Sequence, residues 1–183
     1  MVKTNKKSIG LLGGSFDPAH KGHLIISRIA LKKMRLNKVL WLITEKNPFK
    51  NKSFYSLTQR INKAKKIVKQ EKKIKVTSLD KIVGSSRSIN IIKYLINEKK
   101  LTNIYFIIGA DNLIKFHKWK NWKKIVKLTK LIVFSRRGYD KKGKKSIVSK
   151  YLENKIIFVD NKHISISSSK LRKQSKKNIN GNS

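Results

Sequence analysis

The chain has no cysteine and only nine acidic residues among its 183. Without cysteine there is no disulfide, no thiolate nucleophile and no cysteine-based metal site. Redox compartment stays open on this evidence, and a cytosolic address is the simplest expectation. So few carboxylates leave little material for a two-carboxylate acid/base site or a carboxylate cage around a metal. Only Asp17 and Asp111 stand in motif-like surroundings. No apolar run approaches the roughly 18 residues that a membrane span requires. The opening Met-Val-Lys-Thr-Asn-Lys-Lys leads into too short an apolar stretch for a secretory leader. A soluble, cytoplasmic protein without a membrane partner is therefore expected. The length suits one domain with one core, over residues 1–172, followed by a disordered basic tail over 173–183.

Lysine is what the chain has in excess. Lys plus Arg total 46, for a net charge of +37, and such a balance ordinarily raises nucleic-acid binding first. The lysines, however, are spread over every segment, and only a small minority of the cations are arginine, the better reader of phosphates and bases. Lysine, isoleucine and asparagine are inflated together, which fits a drift of composition better than a dedicated binding face. Weak, salt-sensitive affinity for nucleic acid follows either way. No specific nucleic-acid partner is expected, and a basic nucleic-acid-binding module is the remote alternative.

The chain is organised around Gly13-Gly14-Ser15-Phe16-Asp17-Pro18-Ala19-His20-Lys21-Gly22-His23. An apolar run, Ile9 to Leu12, precedes it. Leu24 to Met34 follows, with apolar positions 26, 29, 30 and 34 at helical spacing. The pattern predicts a strand, a glycine turn and a helix start. Two glycines let a ligand press against the backbone, and a helix start offers free N–H groups and partial positive charge, a combination that suits phosphate. His20 and His23, three apart, share a face there and can donate hydrogen bonds or a proton to an oxygen gaining charge. A metal pair, or a capped helix with two surface histidines, is the competing interpretation; the only other histidines, His117 and His163, sit in unrelated contexts.

Further apolar, β-rich runs lie at Val39–Ile43, Ile74–Leu79, Ile104–Ile108, Leu131–Phe134 and Ile156–Val159. Helical patterns alternate with them at His20–Met34, Leu57–Gln70, Ser88–Glu98, Asp111–Leu128 with a break, and from Ser167 onward. Alternation of this kind predicts a single-domain α/β fold, a doubly wound Rossmann-like parallel sheet, with ligands beyond the carboxyl ends of the strands. Four further segments reach that edge. Thr44–Lys50 delivers Lys50, a point charge for phosphate or a solvated loop residue. Gly109 and Asp111 end a buried strand, where Asp111 can equally be an N-cap. Trp119 and Trp122, at helical spacing, are ordinarily core. Ile166-Ser167-Ser168-Ser169-Lys170-Leu171-Arg172 puts hydroxyls before a helix and an arginine one turn in, which serves for capping or for an anion. Asp140–Lys150 is a charged connection without nameable chemistry.

Taken together, the blocks resemble the nucleotidyltransferase superfamily that carries a His-x-Gly-His motif, in the branch of bacterial nicotinate-nucleotide adenylyltransferases. Gly-Gly-Ser-Phe-Asp-Pro-x-His-x-Gly-His, Gly109-x-Asp111 with a following tryptophan, and Ser167-Ser168-Ser169-x-Leu171-Arg172 occur in the family's order from Ile9 to Arg172. The resemblance implies adenylyl transfer from ATP, with its Mg2+, to nicotinate mononucleotide, giving nicotinate adenine dinucleotide and pyrophosphate. It implies His20 and His23 as the catalytic pair at the ATP phosphates. Gly13, Gly14, Ser15, Phe16, Ser167, Ser168, Arg172 and Arg136 would surround the ATP. Asp17, Lys50, Gly109, Asp111 and Trp119 would receive the mononucleotide, with Asp111 on a ribose hydroxyl and Trp119 stacked on the pyridine ring. Transfer to phosphopantetheine or to nicotinamide mononucleotide is the alternative within the superfamily, and a homo-oligomer is among the possible assemblies.

The chain departs from the family in several places. Phe49 stands where many relatives have histidine, Arg137 replaces a proline, and Arg60 falls on a family arginine. Arg87-Ser88-Ile89-Asn90-Ile91 replaces Tyr-Thr-x-Asp-Thr. No role transfers to this last segment, whose Ile89, Ile92, Leu95 and Ile96 are expected to pack on the sheet.

Overall fold

The structure, a computed structural model, describes residues 8–46, 53–161, 168–169, 171–173 and 175. Six strands, β1 (Ser8–Gly14), β2 (Lys38–Ile43), β3 (Ile74–Thr77), β4 (Asn103–Gly109), β5 (Lys130–Phe134) and β6 (Ile157–Val159), form one sheet. Between them run α1 (Lys21–Lys33), α2 (Leu57–Ile67), α3 (Asp80–Val83), α4 (Ser88–Asn97), α5 (Ala110–Lys115), α6 (Trp122–Leu128), α7 (Asp140–Lys144) and α8 (Ile147–Leu152). Every strand pair is parallel, in the order β3-β2-β1-β4-β5-β6. The order reverses between β1 and β4, and in a doubly wound sheet that switch point opens a crevice at the carboxyl edge.

The apolar runs are continuous because both faces of the sheet are covered. Successive side chains point to opposite sides. Ile9, Leu11, Ile104, Phe106, Ile108, Leu131 and Val133 face α4, α5, α6 and α8 in one core. Leu12, Val39, Trp41, Ile43, Ile107, Ile132 and Phe134 face α1 and α2 in the other.

The structure departs from the sequence pattern in four places. β1 does not end at Leu12 but runs through Gly13 and Gly14, which pair with Leu42 and Ile43. Trp119 and Trp122 do not share a helix: a 3-10 turn over Phe116–Lys118 separates them, Trp119 is its cap and Trp122 opens α6. Asp140–Lys150 is not an open connection, because α7 and most of α8 lie there. Gly143 of α7 packs on Ala110, with the position of its missing Cβ 3.4 Å from the Ala110 Cβ. Lys-rich helices of five and six residues show too little apolar periodicity to be read. Lys173 and Ser175, placed in the tail by the sequence pattern, are helical. Among the described residues no helix is long and apolar enough to cross a membrane.

Gly10, in the middle of β1, has no room for a side chain. A Cβ there would lie 2.9 Å from both Ile107 Cδ1 and Leu36 Cδ1 and 3.0 Å from Val39 Cγ2. Gly10→Ala is expected to destabilise the fold by about 1–3 kcal/mol through overpacking, read as a lower urea midpoint at an unchanged m-value.

Candidate active site

Beyond Gly14 the chain makes a sharp turn through Ser15, Phe16 and a cis Asp17–Pro18 peptide. Phe16 has φ 47°, a left-handed conformation that costs a bulky residue strain and is tolerated only where packing over-determines it. The packing is present: its buried ring stacks on Trp41 at 5.2 Å and lies 4.7 Å from the His23 ring. Phe16 is thus a support beneath His23, leaving only its backbone to face a ligand. The Trp41 indole donates to Ser27 Oγ at 2.8 Å, and Ser27 Oγ donates to the His23 carbonyl at 2.8 Å, so the same tryptophan braces the first turn of α1.

Asp17 does not present its carboxylate to the crevice. It is 7% exposed and accepts the Phe54 and Tyr55 N–H groups at 2.8 and 2.9 Å, binding the turn to the segment before α2. The carboxylate expected at the substrate is thus engaged by backbone N–H groups. Arg60, 1% exposed, does similar work. Its guanidinium donates to the carbonyls of Ser15 and Thr44 at 2.7 Å each, Tyr55 at 3.1 Å and Glu45 at 3.3 Å. Burial lowers its pKa, opposed by Asp17, Asp80 and Glu45, and guanidinium stays charged at neutral pH. One buried cation thereby joins the loops after β1 and β2.

His20 and His23 meet at the start of α1 with ring centroids 3.9 Å apart. His20 is the N-cap, and its Nδ1 accepts the Gly22 N–H at 3.1 Å. His23 reaches back, and its Nδ1 accepts the His20 N–H at 3.2 Å. This is a capping box built from imidazoles instead of hydroxyl and carboxylate. Capping and chemistry are therefore not rival interpretations here. An Nδ1 that accepts from a backbone N–H cannot carry a proton, so each neutral ring is held with its hydrogen on Nε2. Burial, with the Arg136 charge second, lowers the His20 pKa from its ordinary 6.5 to about 4. At neutral pH His20 is an uncharged Nε2–H donor.

A cavity of about 560 Å³ opens at the carboxyl edge, lined by Gly13, Gly14, Thr44, Asp111 and Trp119 among others. No atom lies within 4 Å of where a Gly13 Cβ would be, so the strand end is open to close approach. Asp111 is not the N-cap of α5; Gly109 holds that position and Asp111 follows in the first turn. Asp111 Oδ2 pairs with Arg136 Nη1 at 3.2 Å. Asp111 Oδ1 is buried without a hydrogen-bond partner among the described residues. A Cβ on Gly109 would lie 2.5 Å from that oxygen, so only glycine permits the carboxylate to fold back there. The Trp119 ring leans on Phe116 at 5.0 Å and meets Phe106 edge-on at 6.1 Å. Trp122 turns away to meet Tyr151 at 5.0 Å.

The third block closes over the first. Ser168 Oγ donates to the Pro18 carbonyl at 2.9 Å. Arg172 donates to the Asp17 carbonyl at 2.5 Å and to Ser169 Oγ at 3.1 Å, with its guanidinium 3.9 Å from the Asp17 carboxylate. Lys50 and Ser167 lie outside the described residues.

Sequence reasoning passed over Asp80 and Ser86 and transferred no role to Arg87 and Ser88, yet all four line the cavity. Asp80, 5% exposed, accepts from Thr44 Oγ1 at 2.9 Å, the Glu45 N–H at 2.7 Å and Ser86 Oγ at 2.5 Å. The available signal was Gly84-Ser85-Ser86-Arg87-Ser88, small hydroxyl residues ahead of a helix.

A six-stranded parallel sheet with an open strand end, a histidine-capped helix and an aromatic-walled crevice is an arrangement that suits a nucleotidyltransferase. The cytidylyltransferase-like family model matches residues 11–174, which sets that class. Within it, the chain is 50% identical over 173 residues, 94% of its own length and 96% of the other's, to a Pelagibacter ubique protein named "Probable nicotinate-nucleotide adenylyltransferase". A protein of the same name from Methylorubrum extorquens is 37% identical over 132 residues, 72% of this chain and 71% of that one. The chain belongs to the nicotinate-nucleotide adenylyltransferase family. A solved structure of Plasmodium falciparum nicotinic acid mononucleotide adenylyltransferase, complexed with NaAD, shares the fold with a TM-score of 0.72. It is 20% identical and covers 91% of this chain and 83% of that one.

The His20 environment makes a pH signature. Its folded pKa of about 4 lies below the ordinary 6.5, so between these values the unfolded chain binds a proton that the folded chain refuses. The folded state's advantage is complete above pH 6.5 and is lost as pH falls toward 4. His20→Asn keeps a capping oxygen but cannot titrate. Its urea midpoint, relative to the parent protein's, is expected to rise between pH 7.5 and pH 5.

Proposed function

We propose that this chain joins ATP and nicotinate mononucleotide into nicotinate adenine dinucleotide, and that the two imidazoles capping α1 are its catalytic groups. The carrying observation is the neutral, Nε2-protonated His20 beside His23 at a helix start, next to a bare strand end that opens into an aromatic-walled crevice.

A phosphate oxygen of the mononucleotide is already an anionic nucleophile. It attacks the α-phosphorus of ATP, the bond from that phosphorus to the bridging oxygen breaks, and pyrophosphate leaves with the electron pair. No general base is needed. The protein holds two polyanions in line and meets the charge that builds on the leaving group. His20 and His23, as Nε2–H donors on the positive end of α1, supply this stabilisation. The backbone of Gly13 to Phe16 gives close approach to the phosphates. Arg172 uses two N–H groups on the Asp17 carbonyl and Ser169, and a guanidinium has five, so it can add phosphate contacts while holding the turn. Ser168 and Arg136 complete that side, while phosphate contacts by Ser167 and Lys50, which lie outside the described residues, are what the family resemblance implies.

On the other side Trp119 offers a ring face to the pyridine, and the unpartnered Oδ1 of Asp111 accepts a ribose hydroxyl beside Gly109. A magnesium ion brought by ATP would be held mainly by phosphate oxygens and would offset their charge. The described residues contain no cluster of three or more His, Asp or Glu that would hold the ion alone.

Incubation with ATP, magnesium and, separately, nicotinate mononucleotide, nicotinamide mononucleotide or phosphopantetheine tests the reading, with products identified by mass. Dinucleotide from the nicotinate substrate is expected; product from phosphopantetheine alone would overturn it. His23→Ala is expected to lower kcat by about 10²-fold or more, with a stability cost of about 1 kcal/mol for the lost cap contact. Parent-like kcat in the folded variant would remove His23 from the mechanism.

A further inference from the structure

The segment that departs most from the family, Arg87 to Ile91, is not a remote helix start. Arg87, Ser88, Ile91 and Ile92 line the same cavity as Trp119, Phe106 and Ile125. The four isoleucine and phenylalanine side chains together with Trp119 make an apolar, aromatic wall at this end. Arg87 stands at its margin, as the N-cap position of α4, with an exposed side chain.

Among the described residues the guanidinium there has no counter-charge. Only the Arg87 backbone is engaged, its N–H donating to Ser85 Oγ at 3.2 Å. Among the described residues, Arg28 pairs with Glu71, Arg136 with Asp111 and Arg172 with Asp17; no ion pair or side-chain hydrogen bond involves Arg87. Of the two carboxylates on the cavity wall, Asp111 is taken by Arg136 and Asp80 by Thr44, the Glu45 N–H and Ser86. Three lysines, Lys115, Lys118 and Lys120, share the lining with Arg87. The cavity lining therefore carries Arg87 and three lysines against two carboxylates that each already hold a partner. A purely apolar ring would gain nothing from that arrangement; a ring bearing a carboxylate would.

We propose that Arg87 is a specificity-determining residue that pairs with the carboxylate on the pyridine ring of the mononucleotide, so that the enzyme selects the acid over the amide. The role rests on the function proposed above. Guanidinium is the cation suited to it, because its planar fork meets two carboxylate oxygens at once while an ammonium meets them as a point charge. An amide in the same place keeps one accepting oxygen but carries no charge and turns an NH2 donor toward the other half of a group that only donates, and a site built to bind a polar group discriminates strongly against a ligand that leaves it unpaired.

The test is steady-state kinetics of the parent protein, Arg87→Lys and Arg87→Gln, at saturating ATP with each mononucleotide, alongside thermal melts. Arg87→Gln is expected to lower kcat/KM for nicotinate mononucleotide by about tenfold or more, chiefly through KM. Its efficiency with the amide should change less than about twofold, and its KM for ATP should not move. Arg87→Lys should fall between. In the parent protein alone, KM for the acid should rise with added salt more steeply than KM for the amide. Equal losses for both mononucleotides, no loss for either, or a loss seen in KM for ATP would overturn the assignment. The last would place Arg87 on the triphosphate. A parent protein that makes dinucleotide but prefers the amide would refute Arg87's role alone, whereas a parent protein inert with both would overturn the proposed function itself.

Discussion

Two backbone N–H groups at the start of α1, those of His20 and Gly22, set the orientation of its two imidazoles. A helix start must satisfy its orphan donors, and here the acceptors are the Nδ1 atoms of His23 and His20. One pair of hydrogen bonds caps the helix, fixes the orientation of both rings and assigns their protons to Nε2. Histidine is a poor choice for a cap if capping is all that is needed, because hydroxyl and amide side chains serve better. It is a good choice where the cap must also donate to an anion. Phe16 and Trp41 underwrite the arrangement from below, and the left-handed backbone at Phe16 is what delivers its ring to that position.

The loops around this point are held by buried charge rather than by secondary structure. Arg60 gathers carbonyls from both sides of the crevice, and Asp17 gathers the Phe54 and Tyr55 N–H groups. Paired in this way, the two ions avoid the penalty that an isolated buried charge would incur. Asp80 makes a third junction, joining the loop after β2 to the segment before α4. Removing one partner from such a network is costlier than its individual hydrogen bonds suggest. With only nine acidic residues in the chain, the use of two of them as internal anchors shows where negative charge is needed most.

The architecture was legible because alternating strand and helix patterns admit few topologies. The glycine-histidine stretch was legible because its residue types answer backbone requirements that other types cannot meet. What a residue's type could not disclose was the direction of its side chain. Asp17 and Asp111 sit in similar motif-like surroundings, yet one carboxylate turns inward to neighbouring N–H groups and the other stays at the crevice, its freedom given by Gly109. Asp80 escaped notice, and Arg87 was given no role, for a related reason: they enter the site from the starts of α3 and α4, and only the strand order β3-β2-β1-β4 brings those segments to the same edge as Gly13 and Trp119. The helices α7 and α8 were hidden by lysine-rich sequence whose structure depends on Gly143 packing against Ala110.

The tautomers of His20 and His23 test the central claim most directly. Two-dimensional long-range 1H–15N correlation spectra of imidazole-labelled protein at pH 7.5 distinguish a protonated Nε2 from a protonated Nδ1 and from imidazolium. The His20 ring is predicted to be neutral, with the proton on Nε2 and Nδ1 as acceptor, and to stay uncharged down to about pH 5, above its depressed pKa near 4. A His20 ring protonated on Nδ1, or titrating near its ordinary pKa, would contradict the account.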